Sequence, residues 1–256
     1  MGTILFTSEE PLYLPRYLTP VVREHADTID AVVIAPSMKP THQIVWRQFR
    51  FLGPRAFSRF AGRFAAGRLM ARIESVLPSG PLGGRYHAVG TLARDHGVPV
   101  LRAPDVTDSS FVETICELDP ELVLSIIAGQ KLGPELLEIP GDAVNLHGSL
   151  LPKYRGRATA FWPLYYGDDE TGVTAHLMTE EWDAGPIIEQ RRVRIDQTDT
   201  VHSLYLKLAE VGGHLACELL DRYSCEFDTR PNQTTEADYH SLPTPEQRRE
   251  FRRRGG

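Results

Sequence analysis

Short apolar, β-branched runs alternate with segments of helical period along most of this chain, and that alternation restricts the fold more than any other property. Residues 3–6 and 31–35 are two such runs, and between them residues 12–25 space apolar side chains at helical intervals behind Pro11. The pattern resumes with a helical segment at 86–96, a strand at 99–101, a helix at 109–118 and a strand at 122–127. A helical turn at 132–137 leads to a further strand at 143–147. Strands that read as continuous apolar runs and alternate with helices predict a parallel sheet covered on both faces, because parallel neighbours need crossover connections. The expected fold is doubly wound α/β. Beyond residue 147 the spacing predicts a loop to 159, a helix at 160–167 and two strands, 172–178 and 186–195, that close one edge of the sheet. A long helix at 200–223 follows, with Leu204, Leu208, Val211, Leu215, Leu219 and Leu220 on one face.

Composition narrows the class. Apolar residues make up 41% of the 256 positions, enough to bury a core, and Lys plus Arg (28) against Asp plus Glu (34) gives a net −6. An acidic balance argues against wholesale wrapping of nucleic acid. Cys116, Cys217 and Cys225 form no C-x-x-C pair, so neither a disulfide framework nor a thiolate zinc site is indicated. The opening residues lack the basic, then greasy, then small-residue order of a signal peptide, and no run approaches the roughly 18–20 apolar residues of a spanning helix. The chain is expected in the cytoplasm. Residues 1–225 read as the body and 226–256, polar and rich in proline, as an extended tail with room for one short helix.

Residues 38–85 break the pattern. Lys39, Arg47, Arg50, Arg55, Arg59, Arg63, Arg68, Arg72 and Arg85 face a single acid, Glu74, so this segment is +8 and the rest of the chain −14. Arg55, Arg59 and Arg63 recur every four residues with Phe57, Phe60, Phe64 and Leu69 between them, as on a helix with a basic and an aromatic face. Two readings stand: an inserted helix pair that packs its aromatics on the body, or a surface for acidic partners or the inner face of an anionic membrane.

The chemistry-bearing residues begin at Asn145 and His147. Period two at the end of an interior strand puts both side chains on one side, in the crevice outside the strand carboxyl ends where open α/β sheets bind ligands. A turn-rich loop, 148–156, and a strand carrying Gly172, Val173, Thr174 and His176 lead to Asp183 in a turn bounded by Gly185 and Pro186. Taken singly, Asn145 reads as a turn cap, His147 as a packed imidazole and Asp183 as a turn opener.

In order, however, Asn145-x-His147-x-Ser149-Leu150-Leu151-Pro152, then Gly172-Val173-Thr174, then Asp183-Ala184-Gly185, the sequence resembles the 10-formyltetrahydrofolate-dependent formyltransferases. The likeness extends to residues 127–132 and runs through the helix ending near 223; it omits the basic insertion. The resemblance implies a Rossmann-like formyltransferase fold and gives Asn145, His147 and Asp183 the catalytic positions. The Asn145 amide and a protonated His147 would donate to the oxygen of a tetrahedral intermediate, and Asp183 would favour the imidazolium and take a proton from the attacking amine. For the folate donor it implies Gly129, Gln130, Leu132, Leu137, Thr179, Glu181 and Trp182, and for the acceptor Ser149, Tyr154, Arg155 and His176, with Tyr154 and Arg155 on a phosphate. No metal is implied.

Relatives that formylate glycinamide ribonucleotide resemble one another in a glycine-rich phosphate loop after the first strand, whereas here that place reads Thr7-Ser8-Glu9-Glu10-Pro11. Initiator-tRNA formyltransferases continue into a β-barrel; only a polar tail follows the last long helix here. The expected acceptor is therefore the amino group of a nucleotide-linked or lipid-linked sugar. Alternatives are a formyltetrahydrofolate hydrolase, with water as acceptor, and a non-catalytic folate or sugar-nucleotide binding protein. A homodimer is compatible with either enzyme.

Overall fold

The computed structural model describes residues 2–36, 41–77, 80–224, 226–235 and 238–254. Lys39 and Cys225 lie outside the described residues, as do the side chains of Arg47 and Arg50. Seven strands form the central sheet: β1 (Thr3–Thr7), β2 (Ile29–Ile34), β3 (Val100–Arg102), β4 (Leu122–Ile126), β5 (Asp142–His147), β7 (Glu170–Leu177) and β8 (Ile187–Arg194). Their order is β3-β2-β1-β4-β5-β7-β8. The first five are mutually parallel, and β7 and β8 add an antiparallel edge. A mostly parallel α/β sheet is thus what the alternation of apolar runs produces.

Both faces are covered. On one, α1 (Leu14–His25), α4 (Val89–Asp95) and α8 (Val201–Arg222) bury Leu18, Val22, Leu92, Leu204, Leu215 and Leu219 against Leu5, Val32 and Leu124. On the other, α5 (Ser109–Leu118) and the turn α6 (Pro134–Leu137) pack Ile115 and Leu136 against Ile4, Phe6 and Val123. Alternate residues of β1 and β4 therefore enter opposite cores, which is why both strands are apolar at every position but Thr3, Thr7 and Ser125.

Residues 41–76 form two helices, α2 (Thr41–Leu52) and α3 (Pro54–Val76), between β2 and α4. Gly67 lies under Pro11, where a Cβ would stand 2.8 Å from the proline Cβ. Glu74, wholly buried, accepts from the His87 amide at 2.9 Å and pairs with His87 Nδ1 at 2.6 Å. These two contacts anchor α3. Leu69, grouped by spacing with the phenylalanines, lies on the opposite side of the helix and is exposed.

The tail is docked rather than extended. Arg230 exchanges backbone hydrogen bonds with Ile187, and β9 (Tyr239–His240) pairs with β6 (Arg155–Gly156). The final helix, α9 (Pro245–Arg253), begins with a Thr244/Gln247 capping box and sets Phe251 edge-on to Phe161 of α7 (Phe161–Tyr166) at 4.9 Å. Polar composition hides this because the tail binds through backbone groups, polar side chains such as Asn232 and Glu250, and a few rings, Phe227, His240 and Phe251, too widely spaced to make an apolar pattern. No helix among the described residues is long and apolar enough to cross a membrane.

Candidate active site

Pairing register builds the site. Asn145 on β5 lies opposite His176 on β7, and His147 lies opposite Thr174. The loop after β7 then turns Asp183 back towards both. That turn requires close packing: a Cβ on Gly185 would stand 1.9 Å from the Leu177 carbonyl oxygen. Asp183 itself takes a left-handed conformation (φ 50°), which Asp tolerates better than most residues. Its carbonyl and that of Gly185 each accept from Asn232 Nδ2 at 3.1 Å.

Three side-chain nitrogens surround one oxygen, Asp183 Oδ1: His147 Nδ1 at 3.3 Å, Asn145 Nδ2 at 3.4 Å and His176 Nε2 at 3.6 Å. The other oxygen, Oδ2, accepts from the Gly156 amide at 2.8 Å. His147 is 6% exposed, and its Nε2 donates to the Tyr154 carbonyl at 2.9 Å. Both ring nitrogens of His147 therefore face acceptors, which favours the imidazolium. Burial pulls its pKa down, but the charge of Asp183 and the bonds to Asp183 and Tyr154 outweigh burial and raise it. For Asp183, burial pushes up, while the charge of His147 and the bonds from His147 and His176 prevail and hold the carboxyl far below the carboxylate range. His176 Nδ1 donates to the Leu177 carbonyl at 2.8 Å, and its Nε2 lies 3.2 Å from Asn145 Nδ2.

The residues expected to grip the acceptor are placed differently. Arg155 is 3% exposed and donates from Nε and Nη2 to the Trp182 carbonyl at 3.1 and 2.7 Å, and from Nη2 to Glu181 at 2.6 Å. It ties the 148–159 loop to the Asp183 loop. Tyr154 donates its hydroxyl to Asp168 at 2.8 Å, and Ser149 donates to the Lys153 carbonyl at 2.7 Å. All three side chains thus have partners within this loop and the segments beside it, including the Tyr154 hydroxyl and the Arg155 guanidinium expected on a phosphate. The Leu151–Pro152 peptide in this loop is cis. Of the expected acceptor residues, His176 alone has its side chain in the catalytic cluster.

The expected donor residues fall into two neighbouring loops. Gln130 binds backbone groups on both sides, accepting from Val106 and donating to the Pro36, Ala103 and Pro104 carbonyls, so its amide serves loop structure. The Gly129 amide donates to Ala35. Leu132 is buried with Phe6 and Val33, and Leu137 and Met178 pack at the edge of that cluster, forming an apolar wall. Thr179 donates to the Glu181 carbonyl, and Trp182 is exposed under Lys131 Nζ, 5.6 Å from its ring centre. That contact joins the two loops. Glu24, His25 and Cys217, whose ligand atoms lie within 4.8 Å of one another, gather at the far end of α1 and belong to the α1–α8 contact.

Two contributors have no signal in the sequence. Asn232 reads as part of a glycosylation-type triplet, yet it supports the Asp183 turn. The Gly156 amide is a backbone donor that no side-chain pattern reveals.

Comparison with known proteins places the fold. Solved structures with the same fold include an N-formyltransferase from Helicobacter canadensis in complex with folinic acid and dTDP-3-aminofucose, at 17% identity and a TM-score of 0.59, covering 93% of this chain and 70% of that one. A sugar N-formyltransferase from Shewanella aligns at 19% identity and a TM-score of 0.53, over 94% of this chain and 76% of that one. Glycinamide ribonucleotide transformylase 1 from Symbiobacterium toebii aligns at 18% identity and a TM-score of 0.58, over 90% and 92%. Residues 86–220, more than half of the chain and including Asn145, His147, His176 and Asp183, match the formyl transferase family, and the chain belongs to that family as a formyltransferase.

Proposed function

We propose that the chain transfers the formyl group of 10-formyltetrahydrofolate to the primary amine of an amino sugar carried on a nucleotide or a lipid. The observation that carries the transfer chemistry is the convergence of Asn145, His147 and His176 on one oxygen of Asp183. When an amine attacks a formyl carbonyl, negative charge gathers on oxygen and the amine must lose a proton. Asn145 Nδ2 and the imidazolium edge of His147 are the donors for that oxygen. Asp183, kept ionised, orients His147 and takes the proton directly or through water. The Tyr154 carbonyl holds Nε2, so that Nδ1 remains turned towards the cluster. Folate supplies the activated formyl group. Its pterin would rest on the apolar wall of Leu132, Leu137 and Met178, beside the Lys131–Trp182 contact.

Glu10 supports the choice of acceptor. Its carboxylate accepts from the amides of Leu12 (2.8 Å), Tyr13 (2.6 Å) and Leu14, the amides that open α1. An anion site at this helix start is thus filled from within, and Glu9 binds the Val89 amide nearby at 2.7 Å. A ribose phosphate would meet occupied donors and two carboxylates. Amino sugars make no such demand at this position, and dTDP-3-aminofucose is bound in the Helicobacter canadensis structure.

The test is tetrahydrofolate release from 10-formyltetrahydrofolate, measured with and without a panel of nucleotide-linked and lipid-linked amino sugars. Release that depends on an amino sugar supports the proposal. Release without an amine identifies a hydrolase, and donor binding without release in any mixture identifies a binding protein.

A further inference from the structure

Six of the eleven large hydrophobic residues exposed among the described residues lie at 45–77: Val45, Trp46, Leu69, Ile73, Val76 and Leu77. On α3, Gly67 and Glu74 face the body, so at 100° per residue Leu69, Ile73 and Val76 point away from it. Leu69 is 59% and Val76 80% exposed, and Ile73 is also exposed. Arg68 and Arg72 run along one side of this stripe, and Arg55 and Arg59 lie about three to four turns earlier on the same helix. None of these four forms an ion pair among the described residues, and all are exposed. On α2, Trp46 is 60% exposed, stacks on Phe49, and borders an apolar recess of about 340 Å³ lined by His42, Val45, Phe49 and Phe57.

A packed appendage would leave its arginines solvated or facing acids of the body, but it would cover its apolar stripe, and among the described residues Leu69, Ile73 and Val76 are uncovered. α9 extends the same charge, since it contacts α2 and places the Arg252 guanidinium beside Gly53 at the α2–α3 turn. Exposed apolar side chains beside arginines on α3, and an exposed tryptophan on α2, match the layered chemistry of an anionic bilayer surface, where acyl chains lie beneath phosphates. A nucleic acid would satisfy the arginines but leave Leu69, Ile73 and Val76 in water. A second copy of this chain would set arginines against arginines.

We propose that the α2–α3 hairpin, with α9 beside it, is a docking face for an anionic lipid bilayer. The hairpin follows β2 at the carboxyl edge of the sheet, the edge at which β5 presents Asn145 and His147. Docking there holds the catalytic edge near the lipid. The proposal concerns binding alone and does not depend on the identity of the acceptor.

Flotation of the full chain with phosphatidylglycerol vesicles, against phosphatidylcholine vesicles and at low and high salt, tests it. Binding only to anionic vesicles, weakened by salt, with a blue shift of tryptophan emission that Trp46→Phe abolishes, is the expected result. The Arg59→Glu/Arg68→Glu/Arg72→Glu variant should lose about a hundredfold in partitioning. Leu69→Ser with Val76→Ser should lose binding at high salt first, with tetrahydrofolate release on a water-soluble acceptor unchanged in both variants. Equal partitioning to both vesicle types, no partitioning, preference for an RNA duplex over vesicles, or self-association that hides Trp46 would each overturn the proposal. Flotation of the unaltered chain keeps the proposal open to refutation even where a variant fails to fold.

Discussion

Replacing Asp183 by asparagine removes one charge and almost no volume, and the structure sets what that costs. Asp183 Oδ1 and His147 Nδ1 are 3.3 Å apart and both residues are buried. With an effective dielectric of about 20, opposite unit charges at that separation attract by about 5 kcal/mol before desolvation is subtracted. Loss of this attraction leaves His147 buried without a counter-charge, and its least costly response is to give up its proton. His147 then titrates at lower pH, since burial, which favours the neutral ring, is no longer opposed by Asp183. At neutral pH the ring offers no charged donor, and the loss of one such donor costs about 10²–10³ in kcat, roughly 3–4 kcal/mol. Loss of the proton acceptor adds to that.

The same variant has a stability signature. His147, raised in the folded chain, stabilises at low pH, and its contribution disappears as pH rises through the raised value. Asp183, lowered, stabilises above the ordinary carboxylate range, and its contribution disappears as pH falls through the lowered value. The pair therefore contributes most between the ordinary carboxylate and imidazole values, about pH 4 to 6.5. The difference in stability between the native chain and Asp183→Asn should peak there and shrink towards alkaline pH. The assays are the ¹H shift of the His147 ring against pH, kcat against pH, and urea unfolding at several pH values. An unmoved His147 titration, or an unmoved alkaline limb of kcat with kcat itself preserved, would refute the electrostatic argument.

Asn145→Ala should lower kcat by about 10²–10³ with little change in the KM for the donor, checked by tetrahydrofolate release. Asn232→Ala removes the donor to the Asp183 and Gly185 carbonyls. It should lower kcat while leaving the donor Kd, read by fluorescence titration, close to native. Gly185→Ala places a methyl 1.9 Å from the Leu177 oxygen and should displace the whole turn. A loss of about 3 kcal/mol, or roughly 6–12 °C in Tm by calorimetry, is expected. Glu10→Ala uncaps α1 at a cost of about 1–2 kcal/mol in urea unfolding, and it should allow glycinamide ribonucleotide to compete weakly where the native chain shows no competition.

The strands are legible because burial on both faces demands apolar residues at nearly every position, a pattern visible without coordinates. Asn145 and His147 are legible for the converse reason: two polar residues at period two interrupt such a run, and β5 delivers them to one side. The acceptor contacts are not legible. Arg155 beside Gly156 reads as a free cation because its main partner, the Trp182 carbonyl, is a backbone atom 27 positions away, and backbone acceptors carry no residue code. Tyr154 and Ser149 mislead similarly, with Asp168 and the Lys153 carbonyl taking their hydroxyls. Leu69 does not share a face with the phenylalanines because five residues after Phe64 is about 140° around a helix; strict helical spacing already separates it, and Gly67 and Glu74 show which side meets the body.

The arginines of the hairpin and the acids of the body have a joint consequence for orientation. A chain of net −6 is repelled as a whole by an anionic surface, yet +8 of its charge sits in residues 38–85 and −14 elsewhere. Within a Debye length of about 8 Å at physiological salt, only the part nearest the surface is felt strongly. Approach by the hairpin, with α9 beside it, is then favoured over approach by a face of the acidic remainder, so charge separation biases the orientation. The selected orientation turns the carboxyl edge of the sheet, with Asn145, His147 and Asp183, towards the side from which a lipid-borne acceptor would arrive. Had the same residues been distributed evenly, the net charge would be identical and the preference absent.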